Sequence, residues 1–280
     1  MAQLRIAYTR LRVEEKLLFE AAQRLGIPVV ADDVTDRIWP GIEADPGDVV
    51  LCRCIGQTHN IALAQLLESR EIRTINHSSV ISLCGDKVTT AAVLTRTGVP
   101  QPLYSVAFSP EGAVEAAERL GYPVVFKPPV GSWGRLLAKV DSRETAEAIA
   151  EHKAHLGPSH SVFFIQKYVE KGGYDVRVTL IDGKPVTAIR RKSDHWITNT
   201  ARGGVPEGLP ITEEMESVLR RTHAAIGGDI LAVDLFLGPD GWLVNEINGQ
   251  PEFRSSITTT GVDLPGLILK HAQSCLEAPR

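Results

Sequence analysis

The sequence has few cysteines, no long hydrophobic run and no excess of positive charge. The four cysteines among 280 residues have no C-x-x-C spacing and no recognised histidine ligands near them, which favours reduced structural thiols. No apolar run approaches the roughly 20 residues that span a bilayer, and no signal-peptide pattern precedes the first strand. A net charge of −4 lacks the basic face of a general nucleic-acid-binding protein. These absences predict a cytoplasmic protein that binds neither membranes nor nucleic acid.

The hydrophobic pattern predicts an α/β protein with two or three subdomains. Hydrophobic residues make up 43% of the chain, which is enough for a full core. In the first 80 residues, strands at 4–8, 27–31, 49–55 and 72–75 alternate with helices at 13–25 and 61–69, which indicates a mostly parallel sheet. Later we expect helices at 86–97, 112–120 and 212–226, and strands at 104–108, 122–127, 136–140, 161–169, 174–181 and 185–190.

The stretch from Asp234 to Asn248 is the most informative part of the chain. Apolar runs at 230–237 and 242–244 flank a Gly-Pro-Asp-Gly turn at 238–241, so they predict a β-hairpin. A loop of odd length, such as 238–242, places Asp234 opposite Glu246, and strand alternation places Glu246 and Asn248 on one face with Val244 and Trp242. Two carboxylates and an amide oxygen form a ligand set for a hard cation such as Mg²⁺. A merely solvated polar face is the alternative.

A glycine-rich segment follows a short apolar strand that ends at Lys127. Such a turn between strands can direct several backbone N–H groups at a phosphate, and the lysine adds a positive charge beside it. The lysine precedes the loop and no helix follows directly, so the segment is neither a P-loop nor a Rossmann dinucleotide motif. An ordinary turn is the other interpretation. The loop comprises Gly131, Ser132, Trp133 and Gly134.

Together, these motifs resemble the ATP-grasp superfamily over nearly the whole chain. Within it the chain is similar to the RimK-like ligases, and especially to the lysine-biosynthesis ligases that join α-aminoadipate to the C-terminal glutamate of a small acidic amino-group carrier protein. The resemblance implies an α/β ATP-grasp fold, with a Rossmann-like pre-ATP-grasp domain at 1–85 and an ATP-grasp domain at 86–280. The latter divides into a central lid subdomain at about 98–168 and a C-terminal subdomain at about 169–280. In matching order, the motifs are Lys87, Lys127-Pro, the 131–134 loop, Gln166-Lys-Tyr168-Val-Glu170, Asp175-Val-Arg177, the 199–204 segment, Asp234 and Glu246-Ile-Asn248.

The resemblance also implies roles for individual residues. Asp234, Glu246 and Asn248 are expected to hold one or two Mg²⁺ ions, with Mn²⁺ as the alternative ion. Arg202 and Arg191 are the candidates that would steady the oxyanion of an acyl phosphate. ATP contacts are expected at Lys87, Lys127, Gly131, Ser132, Trp133, Gly134, Arg135, Gln166, Tyr168, Val169, Asp175, Arg190 and Asn199, with Gln166, Tyr168 and Val169 as the adenine hinge. Contacts to the amino-acid substrate are expected at Arg191, Asn199, Thr200, Glu252 and Phe253.

The substrate is less well specified than the nucleotide. Residues 249–256, next to the metal ligands, depart from the pattern of the most similar ligases, although Glu252-Phe253 agrees with the aminoadipate type. A RimK-like glutamate ligase that modifies another protein tail or a small cofactor is one alternative, and a non-catalytic ATP-binding regulatory module is another. The cationic run at 190–192 either complements an acidic carrier or is a solvated strand end. The family also implies a homo-oligomer, either a dimer or a tetramer.

Overall fold

The N-terminal unit is a parallel sheet covered by helices. In the computed structural model, residues 2–38, 44–131, 135–157, 160–198 and 203–277 are described. The sheet has the order β2-β1-β3-β4, which confirms the predicted parallel α/β unit. The apolar stripe of the first helix is buried, and that helix ends at Gly26 in the left-handed conformation, as its sequence predicts. The elements are β1 (Leu4–Tyr8), α1 (Val13–Leu25), β2 (Val29–Asp33), β3 (Val49–Cys52), α2 (Gln57–Glu68), β4 (Arg73–Ile75) and α3 (Ser78–Gly85).

The middle of the chain forms a four-stranded antiparallel sheet of order β5-β8-β6-β7, with two helices that pack against each other. The second of these helices was not predicted, because its buried positions are only small alanines and the stem of Lys153 within a strongly polar sequence. The elements are α4 (Lys87–Arg96), β5 (Tyr104–Ala107), α5 (Pro110–Leu120), β6 (Val124–Lys127), β7 (Ala138–Val140), α6 (Arg143–Ala154) and β8 (Phe163–Lys167).

The C-terminal part is a five-stranded antiparallel sheet of order β11-β10-β9-β12-β13. Two of its helices pack on this sheet, and the final helix packs against α1 of the N-terminal unit. The elements are β9 (Tyr174–Ile181), β10 (Lys184–Lys192), β11 (Val205–Gly208), α7 (Glu213–Ile226), β12 (Ile230–Gly238), β13 (Gly241–Asn248), α8 (Arg254–Thr260) and α9 (Leu264–Glu277).

Two of the apolar cores join the N-terminal unit to the C-terminal sheet. One packs Leu4 and Ile6 of β1 with Ile230 and Ile268 of the C-terminal part. The side chain of Asn76, which follows β4, donates to the carbonyl oxygens of Ile230 and Gly249 and accepts the backbone N–H of Ile230. The middle sheet instead has a core of its own, formed with α5 and α6. The hairpin of β12 and β13, called the metal hairpin after its expected ligands, is therefore anchored to the N-terminal unit by both packing and hydrogen bonds.

The hairpin of β12 and β13 has the predicted pairing but a different turn. Gly238 pairs with Gly241, so the loop has two residues and not an odd number. Asn245 then stands as an extra residue in β13, and this bulge restores the pairing of Asp234 with Glu246. The bulge also reverses the expected faces. Val244 packs in the core, whereas Glu246 lines the cavity, so the prediction that they share one face was wrong.

The helices are short, and the cysteine side chains are buried or partly buried. Within the described residues, every helix is too short or too polar to cross a bilayer. All four cysteines are free. Burial raises the pKa of the Cys84 thiol to about 12 and raises the pKa of Cys52 further, so these two groups stay protonated and pack as small apolar side chains.

Candidate functional site

A deep cavity lies where the three sheets meet. Its wall contains the loops after β1 and β3, the ends of β6 and β8, and the inner faces of β9, β12 and β13. Thirteen of the residues with an expected role line it. They are Lys87, Lys127, Gly131, Arg135, Gln166, Tyr168, Val169, Asp175, Arg191, Asp234, Glu246, Asn248 and Glu252.

Asp234 is buried at the centre of the metal hairpin and is held by two arginines. Its oxygens accept from Nε and Nη2 of Arg177 at 2.7 and 2.9 Å, and Nη2 of Arg191 lies 3.1 Å away. Burial alone would raise the pKa of Asp234, but these guanidinium groups outweigh it and lower the pKa to about 2. The carboxylate is thus ionised at neutral pH. Each carboxylate oxygen has two lone-pair sites, so this pairing leaves room for a cation.

Glu246 and Asn248 complete an oxygen-rich set that fits a divalent cation. Glu246 is partly exposed to the cavity, and its Oε1 lies 3.5 Å from Nζ of Lys87. The side-chain Nδ2 of Asn248 is buried without a hydrogen-bond partner in this structure. An unpaired N–H suits a phosphate oxygen, whereas a cation would take the Oδ1 of the same amide. As ligands, the three residues remain a prediction that this geometry supports.

Two lysines face the metal hairpin from the opposite wall. Nζ of Lys127 donates to Oδ1 of Asn245 at 2.9 Å, and Nζ of Lys87 donates to the carbonyl oxygen of Gly131 at 2.8 Å. Burial lowers the pKa of Lys127 to about 7, since the nearby Glu246 only partly offsets the desolvation of its ammonium. A polyphosphate in this position would supply the missing negative charge. Both lysines are therefore suitable phosphate ligands.

The glycine-rich loop begins at the cavity wall, but most of it lies outside the described residues. Gly131 has φ 153°, a conformation that strains residues with a side chain, and a Cβ there would lie 3.2 Å from Cγ of Pro128. Arg135, after the loop, also lines the cavity. The remaining expected lid residues, Ser132, Trp133 and Gly134, and the expected ligands Asn199, Thr200 and Arg202 fall on the segments that are not described.

The expected adenine hinge lies at the end of β8. Gln166 is buried against the cavity, and Tyr168 follows the last residue of the strand. Nζ of Lys139 lies 3.9 Å above the Tyr168 ring, and the Trp196 ring lies 6.5 Å from it. β8 is not an edge strand, because β5 and β6 flank it, and the Tyr168 N–H donates to the carbonyl oxygen of Pro123. The Tyr168 N–H is therefore already used and does not serve as a donor to a base.

Arg191 has a different environment from the one expected of a substrate ligand. Its side chain is 2% exposed, and its guanidinium donates to both oxygens of Asp175 at 2.6 and 2.8 Å. Thr198 donates to the same carboxylate and accepts from Nζ of Lys171. Because protein carboxylates already occupy Arg191, we assign it a positioning role between Asp175 and Asp234. A direct contact with the acyl phosphate does not fit this burial.

Two further expectations are corrected by strand alternation and packing. Arg190 faces away from Arg191, does not line the cavity, and donates to Glu207 on β11 at 2.8 Å. Lys192 shares that glutamate, so this cationic run is already partly neutralised. Phe253 is 1% exposed and belongs to the core between the N-terminal unit and α9, since its ring is apolar. Neither Arg190 nor Phe253 is placed to touch a ligand in the cavity.

Sequence reasoning gave no role to several cations of the cavity wall, among them Arg12, Arg53, Lys171 and Arg177. Arg12 and Arg53 follow β1 and β3 at the carboxyl ends of parallel strands, where α/β sheets bind ligands. Lys171 is buried beside a Gly-Gly turn, and burial lowers its pKa to about 8. Arg177 was included in a motif but given no role. The position of Arg12 after the strand predicted at 4–8 was the available signal. Arg53 lay inside the strand predicted at 49–55, and Lys171 and Arg177 depend on contacts between distant segments.

A second group of polar side chains lies away from the cavity. Nε2 of His271 is 2.8 Å from Oδ1 of Asp229 and 3.6 Å from the Sγ of Cys275. Arg73 on β4 also binds Asp229, at 3.1 Å. The expectation of no histidine near a cysteine was thus wrong for Cys275, whose partner is one helical turn away. The guanidinium of Arg73 makes this an ion-pair cluster that links α9 to the N-terminal sheet.

Comparisons with known sequences agree with this geometry. The RimK-like ATP-grasp domain profile matches residues 84–271, and the LysX preATP-grasp domain profile matches residues 4–83. The chain belongs to the RimK-like ATP-grasp family. Its membership confirms the predicted ATP-grasp fold and the N-terminal pre-ATP-grasp domain, and it confirms a carboxylate–amine ligase. ATP-grasp ligases in general use ATP with divalent metal ions.

Relatives in this family match the chain almost end to end. Alpha-aminoadipate–LysW ligase LysX of Sulfurisphaera tokodaii is 32% identical over 98% of this chain and 99% of its own length. Glutamate–LysW ligase ArgX of Sulfolobus acidocaldarius is 30% identical over 94% of this chain and 95% of its own. The crystal structure of a RimK domain ATP-grasp protein from Sphaerobacter thermophilus has a TM-score of 0.78 and 26% identity, and covers 96% of this chain and 99% of that chain.

Proposed function

We propose that the chain joins the amino group of α-aminoadipate, or of a related dicarboxylic amino acid, to the C-terminal glutamate of a small acidic amino-group carrier protein. The supporting observation is a cavity with two phosphate-type lysines opposite an Asp-Glu-Asn set, in a chain whose relatives over nearly their full length act on the LysW carrier. ATP is converted to ADP and phosphate in the process. The metal ion is Mg²⁺, since carboxylate and amide oxygens are its preferred ligands.

The reaction proceeds in two steps. A carboxylate oxygen of the carrier attacks the γ-phosphorus of ATP and displaces ADP, so that an acyl phosphate forms. The amine of the amino acid then attacks the acyl carbon, phosphate leaves, and the nitrogen loses a proton as the amide forms. Bound Mg²⁺ would offset the charge repulsion between the phosphates and the attacking carboxylate, and Asp234, Glu246 and Asn248 would hold it.

The protein contributes position and charge. Lys87 and Lys127 bind the terminal phosphates from the wall opposite the hairpin, which aligns the γ-phosphorus with the incoming carboxylate. Arg177 and Arg191 keep Asp234 ionised and fixed in orientation. Gly131 begins the segment that we expect to exclude water from the acyl phosphate. No protein nucleophile is needed.

Intact-mass analysis of the carrier tests this proposal. The purified chain is incubated with Mg-ATP, a carrier ending in glutamate, and either α-aminoadipate or glutamate. One amino acid should be added to the carrier, and the added mass identifies which, since the two differ by one methylene. The matched control is a carrier whose terminal glutamate is replaced by glutamine. Addition to that control, or no addition with either amino acid, would contradict the proposal.

Glutamate is the second candidate substrate, because one of the relatives over nearly the full length is a glutamate ligase. The same mass measurement separates the two substrates in a mixture. The homo-oligomeric state stays a prediction, and light scattering on the purified protein distinguishes a dimer from a tetramer.

A further inference from the structure

Arg12 and Arg53 follow the neighbouring strands β1 and β3, whose chain connections run to opposite sides of the N-terminal sheet. The sheet order β2-β1-β3-β4 sends the chain to one side after β1 and to the other side after β3. A crevice therefore opens outside the carboxyl ends of these strands, and ligands of open α/β sheets bind in such crevices. Both arginines follow these strand ends and line the main cavity.

The guanidinium of Arg53 is buried and incompletely paired. The residue is 6% exposed. Its Nε lies 3.3 Å from Oε1 of Glu15, and its Nη1 donates to the carbonyl oxygen of Pro251 at 3.1 Å. Its Nη2 is buried and has no partner. A buried charged N–H without an acceptor is costly, so this nitrogen marks a position where an anionic oxygen would be stabilised.

Arg12 already binds a carboxylate from the cavity side. Glu15 accepts from Nε and Nη2 of Arg12 on the inner side, and Nη1 donates to Oε1 of Glu252 at 3.1 Å. The side chain of Glu252 is 48% exposed, and an ion pair this open to solvent contributes little to stability. Another carboxylate can therefore take the place of Glu252 at low cost. Arg12 thus offers a second donor close to Arg53.

The loop after the metal hairpin is built onto Arg53. Gln250 donates from Nε2 to the carbonyl oxygen of Cys52 at 2.9 Å, and the guanidinium of Arg53 lies 5.4 Å from the centre of the Phe253 ring. With the bond from Arg53 to Pro251, these contacts fix the loop at residues 249–253 against the N-terminal unit. The segment therefore begins next to the expected metal ligands and contacts the two arginines through Pro251 and Glu252.

Arg191, the arginine first expected to bind the substrate, is occupied by carboxylates of the protein. Arg177 and Arg191 each pair through two nitrogens with a buried carboxylate of the protein, whereas the N-terminal pair has a buried donor without a partner. We infer that Arg53 and Arg12 form the binding site for a carboxylate of the incoming amino acid. This inference rests on the proposed ligase function and assigns the recognition of the amino acid to the N-terminal unit. The amine is then held near the metal hairpin by the 249–253 segment.

The test measures binding of the amino acid separately from turnover. Calorimetry on the Mg-ADP-loaded protein uses α-aminoadipate, glutamate, glutamine and isoglutamine as probes. We expect Arg53→Gln to weaken binding of the preferred dicarboxylic amino acid by at least about tenfold, the loss typical of one charge-assisted hydrogen bond. Affinity for ADP should stay unchanged. Arg12→Gln should give a smaller loss, because Glu252 already competes for that donor.

Glutamine and isoglutamine, in which an amide replaces one carboxylate, test whether Arg53 recognises a carboxylate. Wild-type protein should discriminate against either glutamine or isoglutamine, depending on which carboxylate occupies the site, and Arg53→Gln should lose that discrimination. A purely structural arginine would weaken all four probes alike. Arg10→Gln, an exposed arginine of the same loop that does not line the cavity, is the matched control. If Arg53→Gln fails to fold, Arg53→Lys keeps the charge beside Glu15 and should show the same loss of discrimination.

The outcomes separate this inference from the proposed function. Unchanged amino-acid affinity and discrimination in both Arg53 variants would overturn the inference, even if the carrier is modified normally. Failure of wild-type protein to bind any of the amino acids would also overturn it. If binding depends on Arg53 but no carrier is modified, the carboxylate site stands and the carrier-ligase function is wrong.

Discussion

Asp234 on β12 lies directly opposite Arg177 on β9, and two hydrogen bonds of 2.7 and 2.9 Å join their side chains. The arginine comes from the strand on one side of β12, whereas Glu246 comes from the strand on the other side. The central carboxylate is thus placed between a permanent cation and the expected metal site. This arrangement keeps Asp234 charged whether or not a metal is bound.

Replacing Arg177 with methionine should destabilise the protein. The free energy of unfolding, from urea denaturation at pH 7, should fall by about 3 kcal/mol, because a buried carboxylate loses its main partner. The double variant with Asp234→Asn should lose less than the sum of the two single variants. Arg143→Met, which removes exposed ion pairs on α6, is the control and should leave stability unchanged. Strict additivity would contradict the direct coupling of Arg177 and Asp234.

Replacing Glu246 with glutamine should affect metal-dependent turnover far more than folding. Glu246 is partly exposed and its cationic neighbour Lys87 lies at 3.5 Å, so loss of its charge costs little folding energy. The Mg²⁺ concentration for half-maximal activity should rise at least about tenfold, as expected when a charged ligand is lost. Equal losses of stability and activity would instead indicate that the residue is structural.

Nucleotide binding should be accompanied by proton uptake at pH 8. Burial lowers the pKa of Lys127 to about 7, so the free amine is mainly neutral at this pH, and a bound polyphosphate would raise the pKa and return the proton. Calorimetry in two buffers of different ionisation enthalpy measures the number of protons taken up. Uptake should decrease towards pH 6, where the lysine is already charged. Lys127→Arg is always charged and should bind with less uptake; equal uptake in that variant would exclude Lys127 as the source.

The ion-pair cluster on α9 should make stability depend on pH. Hydrogen bonding to Asp229 raises the pKa of His271 to about 9, above its unfolded value near 6.5. The stabilisation is therefore fully present below pH 6.5 and is lost as the pH rises through 9. The free energy of unfolding, measured by urea denaturation between pH 6 and 9.5, should fall over this window by about 1 kcal/mol, as expected for a half-buried pair. In His271→Gln the free energy of unfolding should depend less on pH, and an unchanged pH dependence would exclude His271 as its source.

Much of the fold could be predicted from the sequence because its signals are local. The apolar runs defined most strands, and the oxygen-bearing residues of the hairpin were assigned the right pairing. That pairing arises from a tight turn and a bulge at Asn245 together, and neither is specified by the apolar pattern alone. Arg177 and Arg53 could not be connected to the site in advance. Their contacts join segments that are distant in sequence, and the apolar pattern alone does not say which segments become neighbours.

The core that Leu4 and Ile6 share with Ile230 and Ile268 has a consequence for how the chain can be divided. The two family profiles meet between residues 83 and 84. The apolar contacts of this core join residues on both sides of that boundary, whereas the core of the middle sheet lies wholly after it. A fragment ending there would lose the contacts of Leu4 and Ile6 with Ile230 and Ile268, whereas removal of residues 98–168 would spare them. We therefore expect the unit that unfolds cooperatively to have other boundaries than the domains that the profiles delimit.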